Sequence, residues 1–261
     1  MNSTSFASTP QTRQTLVNQV GNAFFSEALF DVMPDVVFFV KDLEGRYVVV
    51  NQTLASRCGY RAKAELIGRS ASNVFPAPLA TSYDEQDQFV LNTGRDLHQQ
   101  LELRLYPSGE ANWCVTHKIP LRDKLNKVIG LTGISRDLTM PDQRHPVYHS
   151  IATAVRHLHS NYAQEIQATH LAQMSNLSVT EFESNFHQIF SITPRQMVIK
   201  LRLDAAIALL RDAGKTLDEI AKEVGYSDVA VFTSIFKTTI GLTPAEYRET
   251  VVARITHRRR H

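Results

Sequence analysis

The chain is 261 residues long and carries 28 Lys and Arg against 26 Asp and Glu, a formal net charge of +2. That length suits two domains, each able to bury its own core, and the ordinary apolar and charged fractions exclude a fibrous or low-complexity chain. No apolar run reaches membrane-spanning length and the Ser/Thr-rich start lacks a leader pattern. Two cysteines, Cys58 and Cys114, form no CxxC or Cys/His spacing, so a cytoplasmic, reduced protein is expected.

Residues 1–13, rich in Ser, Thr and Gln, read as disordered, and residues 14–31 as a helix with Leu16, Val20, Phe24, Phe25 and Leu29 at helical spacing. Two short strand-like runs follow, at 36–40 and 47–50. Asp42 to Gly45 reads as the hairpin turn between them, with glycine where a positive φ is needed. Residues 51–93 are helical or irregular, punctuated by Gly59, Gly68, Pro76, Pro78 and Gly94. Leu97, Leu101, Leu103 and Leu105 then alternate with His98, Gln100, Glu102 and Arg104, the period of a half-buried strand. Residues 113–120 and 128–135 supply two more strands. The order predicts an α+β unit: five antiparallel strands with helices on one face.

These residues carry a resemblance. "VVFFVKDLEGRYVVVNQTLASRCGY", "ELIGRS" and "THKIPLRDKLNKVIGLTGISRDLT" make residues 32–139 resemble a PAS domain: opening hairpin, Asn after the second strand, short helices, closing strands. Asp137-Leu138-Thr139 is similar to the Asp-x-Thr at which many PAS domains pass to an output domain. "KLNK" departs from the family, which often has Asp-Gly or Asn-Gly at that turn. The long helix before Gly94 holds no histidine, where haem-binding relatives commonly place an axial ligand. Cys58, in "SRCGY", is unlike the flavin-adduct motif, and no cofactor is expected.

Residues 140–148, "MPDQRHPVY", read as a linker too short for a long coiled-coil transmitter, which leaves direct domain contact or hinge geometry to carry any signal. Beyond it a motif is written twice, fifty residues apart. Leu171-Ala172, Asn176-Leu177-Ser178, Phe182, Phe186 and Thr193-Pro194 return as Ile220-Ala221, Gly225-Tyr226-Ser227, Phe232, Phe236 and Thr243-Pro244, with one extra residue in the second turn. A short helix, a tight turn and a helix with aromatics at i and i+4 describe a helix-turn-helix. Two at fixed spacing suit a protein that reads two stretches of DNA major groove. Seven helices are predicted; the fourth starts at Thr193-Pro194 and runs about 20 residues, some 30 Å, to Gly214. "RLDAAIALLRDAGKTLDEIAKEVGYSDVAVFTSIFKTTIGLTPAEYR" closely resembles the two-motif DNA-binding domain of AraC/XylS regulators. The chain thus divides into a start and helix (1–31), a PAS domain (32–139), a linker (140–148), an all-α tandem helix-turn-helix domain (149–252) and a basic tail (253–261).

Helix geometry nominates the contacts. With the phenylalanines facing inward, Thr180, Glu183, Ser184 and His187 on the first recognition helix and Ala230, Thr233, Ser234 and Lys237 on the second point to bases. Relatives often carry Arg where Ser184 and Ser234 stand, so the usual guanine contact is in doubt there. Phosphate contacts are expected from helix N-termini at Ser178, Thr193, Asp228 and Thr243, and from Arg195, Lys200, Lys237 and Arg248. Bulk charge gives no support, because residues 142–261 hold 14 cations against 12 anions and four of those arginines lie in the tail, 254–260. That tail is either a sequence-independent attraction or a solubilising end.

The PAS half reads either as a sensor for a small effector or as a dimerisation or partner module without ligand. Trp113, Val115 and His117, on one face of a strand, are the tentative ligand contacts. No GxSxG, P-loop, HExxH or convincing metal set occurs, so neither enzyme activity nor a metal is expected. The expected partners are double-stranded DNA, RNA polymerase, an unidentified effector and a second copy of the chain, with no membrane.

Overall fold

The structure, a computed structural model, describes residues 27–107 and 111–249. Of the helix expected over 14–31, only the end, α1 (Glu27–Asp31), is among them; the start read as disordered and the basic tail lie outside the described residues. Strands β1 (Val36–Lys41) and β2 (Tyr47–Val50) form the expected hairpin. Gly45 takes φ +74° and the Asp42 carboxylate accepts from the Glu44 and Arg46 N–H groups, so the turn is fixed by its own side chains. Three helices follow: α2 (Gln52–Arg57), α3 (Ala71–Val74) and α4 (Ala77–Thr93), the last ended by left-handed Gly94. Then β3 (Leu97–Leu105), β4 (Ala111–Arg122) and β5 (Val128–Asp137) complete one antiparallel sheet in the order β2-β1-β5-β4-β3. At the "KLNK" turn Asn126 takes the left-handed conformation that glycine would otherwise supply, and Asp123 accepts from the Leu125 and Lys127 N–H groups.

Asn51 closes the PAS half. It is buried, its Oδ1 accepts from Phe38 and Leu54 N–H, and its Nδ2 donates to the Phe30 and Val36 carbonyls, so β1, β2 and α2 share one hub. Arg57 and Asp137, paired at 2.5 Å, tie α2 to the end of β5.

The second half is helical: α5 (Pro146–Asn161), α6 (Ala168–Met174), α7 (Val179–Phe190), α8 (Pro194–Leu209), α9 (Leu217–Glu223) and α10 (Val229–Ile240), then helical residues 244–249. α5 begins at Pro146, where the apolar spacing of Val147, Ile151, Val155 and Leu158 predicts it, and so takes the end of the stretch read as linker. One expectation changes here. α8 ends at Leu209, sixteen residues or about 24 Å, because Asp212 turns the chain and accepts from Gly214 N–H before glycine can cap anything.

β3 brings the largest correction. From Leu101 to Arg104 its polar face points into the PAS core, where Glu102 and Arg104 are buried, and Leu101 and Leu103 are covered by the second half. A register shift between Leu97 and Gln100 turns Leu97 toward the PAS core and His98 to the outer face. Leu101 and Val115 join the core of α5, α6 and α7; Leu103 joins Leu203, Leu210 and Phe236; Leu242, just past α10, sits in the PAS core. Polar contacts cross as well: Trp113 Nε1 donates to Asp204 Oδ1 of α8 at 2.8 Å, and Gln196 Nε2 to the Gln99 carbonyl at 2.7 Å. The two halves therefore share apolar cores and meet by direct contact.

Candidate nucleic-acid interface

The sequence repeat is a structural repeat down to its caps. In the first unit Asn176 takes φ +53° and Leu177 N–H bonds the Ala172 carbonyl; in the second Gly225 takes φ +96° and Tyr226 N–H bonds the Ala221 carbonyl. Gly225 is required twice over, since a Cβ there would lie 2.3 Å from the Ala163 carbonyl oxygen. Ser178 caps α7 by accepting from Glu181 N–H, and Asp228 caps α10 through Ala230 N–H, the extra residue of the second turn lying between. Both recognition helices end left-handed, at Ser191 and Gly241, and both hand over to a Thr-Pro start. Glu181 completes a capping box, and the Ser178 hydroxyl and N–H hold its carboxyl below the usual range.

Phe182 and Phe186 in α7, and Phe232 and Phe236 in α10, are fully buried. On the opposite faces Thr180, Glu183, Ser184 and His187 are exposed, as are Ala230, Ser234 and Lys237, while Thr233 is half-buried. Of these positions Lys237 borders the PAS half, in a pocket with Leu97 and Gln100 of β3 and Gln86 and Phe89 of α4. A groove between the units is lined by Glu183, Arg195, Arg202, Tyr226 and Ile235. Arg202 spans it structurally: it donates to the Tyr162 and Gln164 carbonyls and stacks on Tyr226, 4.9 Å from the ring centroid.

The candidate phosphate contacts differ in how far they are engaged within the protein. Ser178, Thr193, Asp228 and Arg195 are exposed at helix starts. Lys200 instead pairs with Asp204 at 2.7 Å and lies over Trp113, so packing of the two halves consumes its charge. Thr243 is half-buried beside Leu242, its hydroxyl on the Glu246 carboxylate, and Arg248 donates to the Lys215 carbonyl in the loop after α8.

The tentative ligand contacts are also displaced. Strand alternation sends Trp113, Val115 and His117 to the outer face of the sheet, Trp113 and Val115 against the helical half and His117 beside His98, Nδ1 to Nδ1 3.3 Å. Burial and the neighbouring His98 hold the His117 pKa down. The cavity between sheet and helices is lined by the other parity: Lys118 on β4, Arg104 on β3, Ser135 on β5, and Lys41 and Phe39 on β1. Nothing in the sequence flagged these, because lysines at the end of an apolar strand read as solvated.

Two family models match the chain: one described as PAS fold over residues 30–143, and one described as Helix-turn-helix domain over residues 171–250. Among curated proteins, the HTH-type transcriptional activator RhaR of Mannheimia succiniciproducens is 35% identical over 91 residues, 35% of this chain and 33% of that protein. The MmsAB operon regulatory protein of Pseudomonas aeruginosa is 32% identical over 95 residues, 36% and 30% of the two chains. The chain spans less than half the length of these relatives, one named a transcriptional activator and the other an operon regulatory protein. Among solved structures, the VqmA–ligand–DNA complex of Vibrio cholerae matches 68% of this chain and 84% of its own at 23% identity and a TM-score of 0.41. The DNA-binding domain of AdpA, in complex with a target DNA, matches 42% and 95% at 28% identity and a TM-score of 0.36. The first half of the chain is thus a PAS domain and the second an AraC-type helix-turn-helix domain.

Proposed function

We propose that this protein is a sequence-specific DNA-binding transcription regulator in which α7 and α10 enter two successive major-groove segments. The observation that carries the reading is the pair of matched recognition helices, each capped, each anchored by two buried phenylalanines and each presenting short polar side chains outward. The regulators to which the helical half is similar support it, and the word activator in one of their names favours engagement of RNA polymerase once DNA is bound. Exposed Leu29 and Val32 at the start of the PAS half favour a second copy of the chain as a further partner.

The PAS half serves as the sensor. Its cavity lies between sheet and helices, and its outer face packs directly on α8 and α10, so a bound effector would shift the DNA-competent population through contact alone.

Selection of genomic fragments by the full-length protein at moderate salt tests the DNA reading. Enrichment of a shared site is expected, with Ser234→Ala weakening that site by about 1 kcal/mol while non-specific binding holds. Equal weakening on all DNA would make Ser234 a positioning contact, and no enrichment at all would remove the function proposed.

A further inference from the structure

The PAS cavity has an unusual charge balance. Lys41 and Lys118, both buried, share the one carboxylate of Asp87, at 2.5 and 2.6 Å. Arg104, also buried, meets Glu102 at 2.7 Å, and Glu102 additionally takes bonds from Thr116 and from Gln86. Three buried cations are thus served by two buried carboxylates. Half-buried Asp84, on the same helix as Asp87, forms no ion pair among the described residues.

What faces the cavity is more one-sided still. Lys41, Arg104 and Lys118 line it, whereas Asp87 and Glu102 stand behind them. Two polar atoms there have no hydrogen-bond partner, Arg104 Nε and Tyr83 Oη, in side chains more than nine-tenths buried. Such orphans are costly to bury, and a bound acceptor would satisfy them. The rest of the lining is apolar or aromatic, notably Phe39, Leu54, Phe75 and Val37. The space is about 20 Å³, room for roughly one water molecule. Both thiols nearby are inert, since burial pushes Cys58 and Cys114 up to about 12.

We infer that the PAS cavity receives a small organic anion, its carboxylate on Lys118, Lys41, Arg104 and Tyr83 and its apolar body against Phe39, Leu54 and Phe75. The inference rests on the sensor reading above and names the effector's chemical class. Room for the body comes from outward movement of α3 and α4, which carry the Phe75 and Tyr83 wall, because the sheet wall is fixed by its ladder. That movement is coupled to DNA binding: on its outer side α4 presents Leu79 and Ser82 to Gly241, the cap of α10, at 3.1 and 3.4 Å from a Cβ built there, and Leu242 lies in the PAS core. The same helix thus walls the anion site and holds the end of the second recognition helix.

Calorimetry on the full-length protein in carboxylate-free, low-chloride buffer tests this. The probes are acetate, isobutyrate, benzoate and phenylacetate, each beside its neutral amide, with sodium chloride as the inorganic control. At least one carboxylate is expected to bind saturably and about tenfold or more tighter than its amide. Lys118→Met should abolish that preference. Should it misfold, Tyr83→Phe, which removes only a hydroxyl without a partner, should keep the fold and weaken the carboxylate about tenfold while leaving the amide unchanged. Amides binding as tightly as carboxylates would overturn the charge class and leave the sensor reading standing. Saturation by chloride alone, with no gain from any carboxylate, would overturn the organic ligand. Failure of every probe, with a bare mass in native mass spectrometry, would overturn both this inference and the sensor.

Discussion

Asp87 is the residue on which most of the PAS interior depends. Its carboxylate is almost fully buried, which on its own would raise its pKa, but the ammonium groups of Lys118 and Lys41 more than offset this and hold it below the ordinary value. For a carboxyl with a depressed folded pKa, the stabilisation is complete above the unfolded value of about 4 and is lost as pH falls through the folded one. Acid unfolding below about pH 4 is therefore expected to draw on this group. Asp87→Asn should cost about 3–5 kcal/mol at neutral pH, since it strands two buried cations, and should flatten the acid limb. Urea titrations across pH 2–7 check this; parallel acid limbs in the two proteins would show that Asp87 does not carry the effect. Asn51 and Arg57 are buried polar groups of a different kind, satisfied by backbone and by Asp137. Only Asn51 among these was legible in the sequence, through its place after β2. Lys41, Lys118, Glu102 and Arg104 were not, since a charged residue within a strand gives no sign of whether a partner awaits it inside.

At the scale of elements, local chemistry was read well and long-range covering was not. The caps Ser178, Thr193 and Asp228 follow from side chains that bond their own first turn, so sequence spacing alone places them. The turns at Asn176 and Gly225 are equally local. The end of α8 was misplaced because Gly214 is a good terminator on sequence grounds, whereas Asp212 turns the chain first. β3 shows the deeper limit. Its alternation holds from Leu101 to Arg104, where Leu101 and Leu103 are buried only because a second domain, about a hundred residues later, packs on them. A register shift between Leu97 and Gln100, with Gln99 left-handed, breaks the pattern before that. That covering also takes Trp113 and Val115 to the outer face, away from the PAS cavity, and sets Lys200 over Trp113 and on Asp204. By contrast the positions nominated on α7 and α10 lie on exposed faces, with Thr233 half-buried, because two buried phenylalanines per helix fix the rotation.

In the whole molecule the PAS sheet acts as a platform on which both helix-turn-helix units rest. Leu101 and Val115 meet the first unit, Leu103 the second, and Trp113 touches both while donating to Asp204 of α8. Trp113→Phe keeps the aromatic packing and removes that bond, so a loss of about 1 kcal/mol in urea unfolding is expected, with faster proteolytic cleavage between residues 140 and 145. Unchanged stability and cleavage would mean that the bond does not hold the halves together. The central claim, that α7 and α10 read DNA together, is tested most directly by hydroxyl-radical footprinting of the full-length protein on a selected site. Two protected stretches on one face of the duplex, centred about 10 base pairs apart, are predicted. A single protected stretch, unchanged when the α10 positions Ser234 and Lys237 are replaced by alanine, would contradict the account.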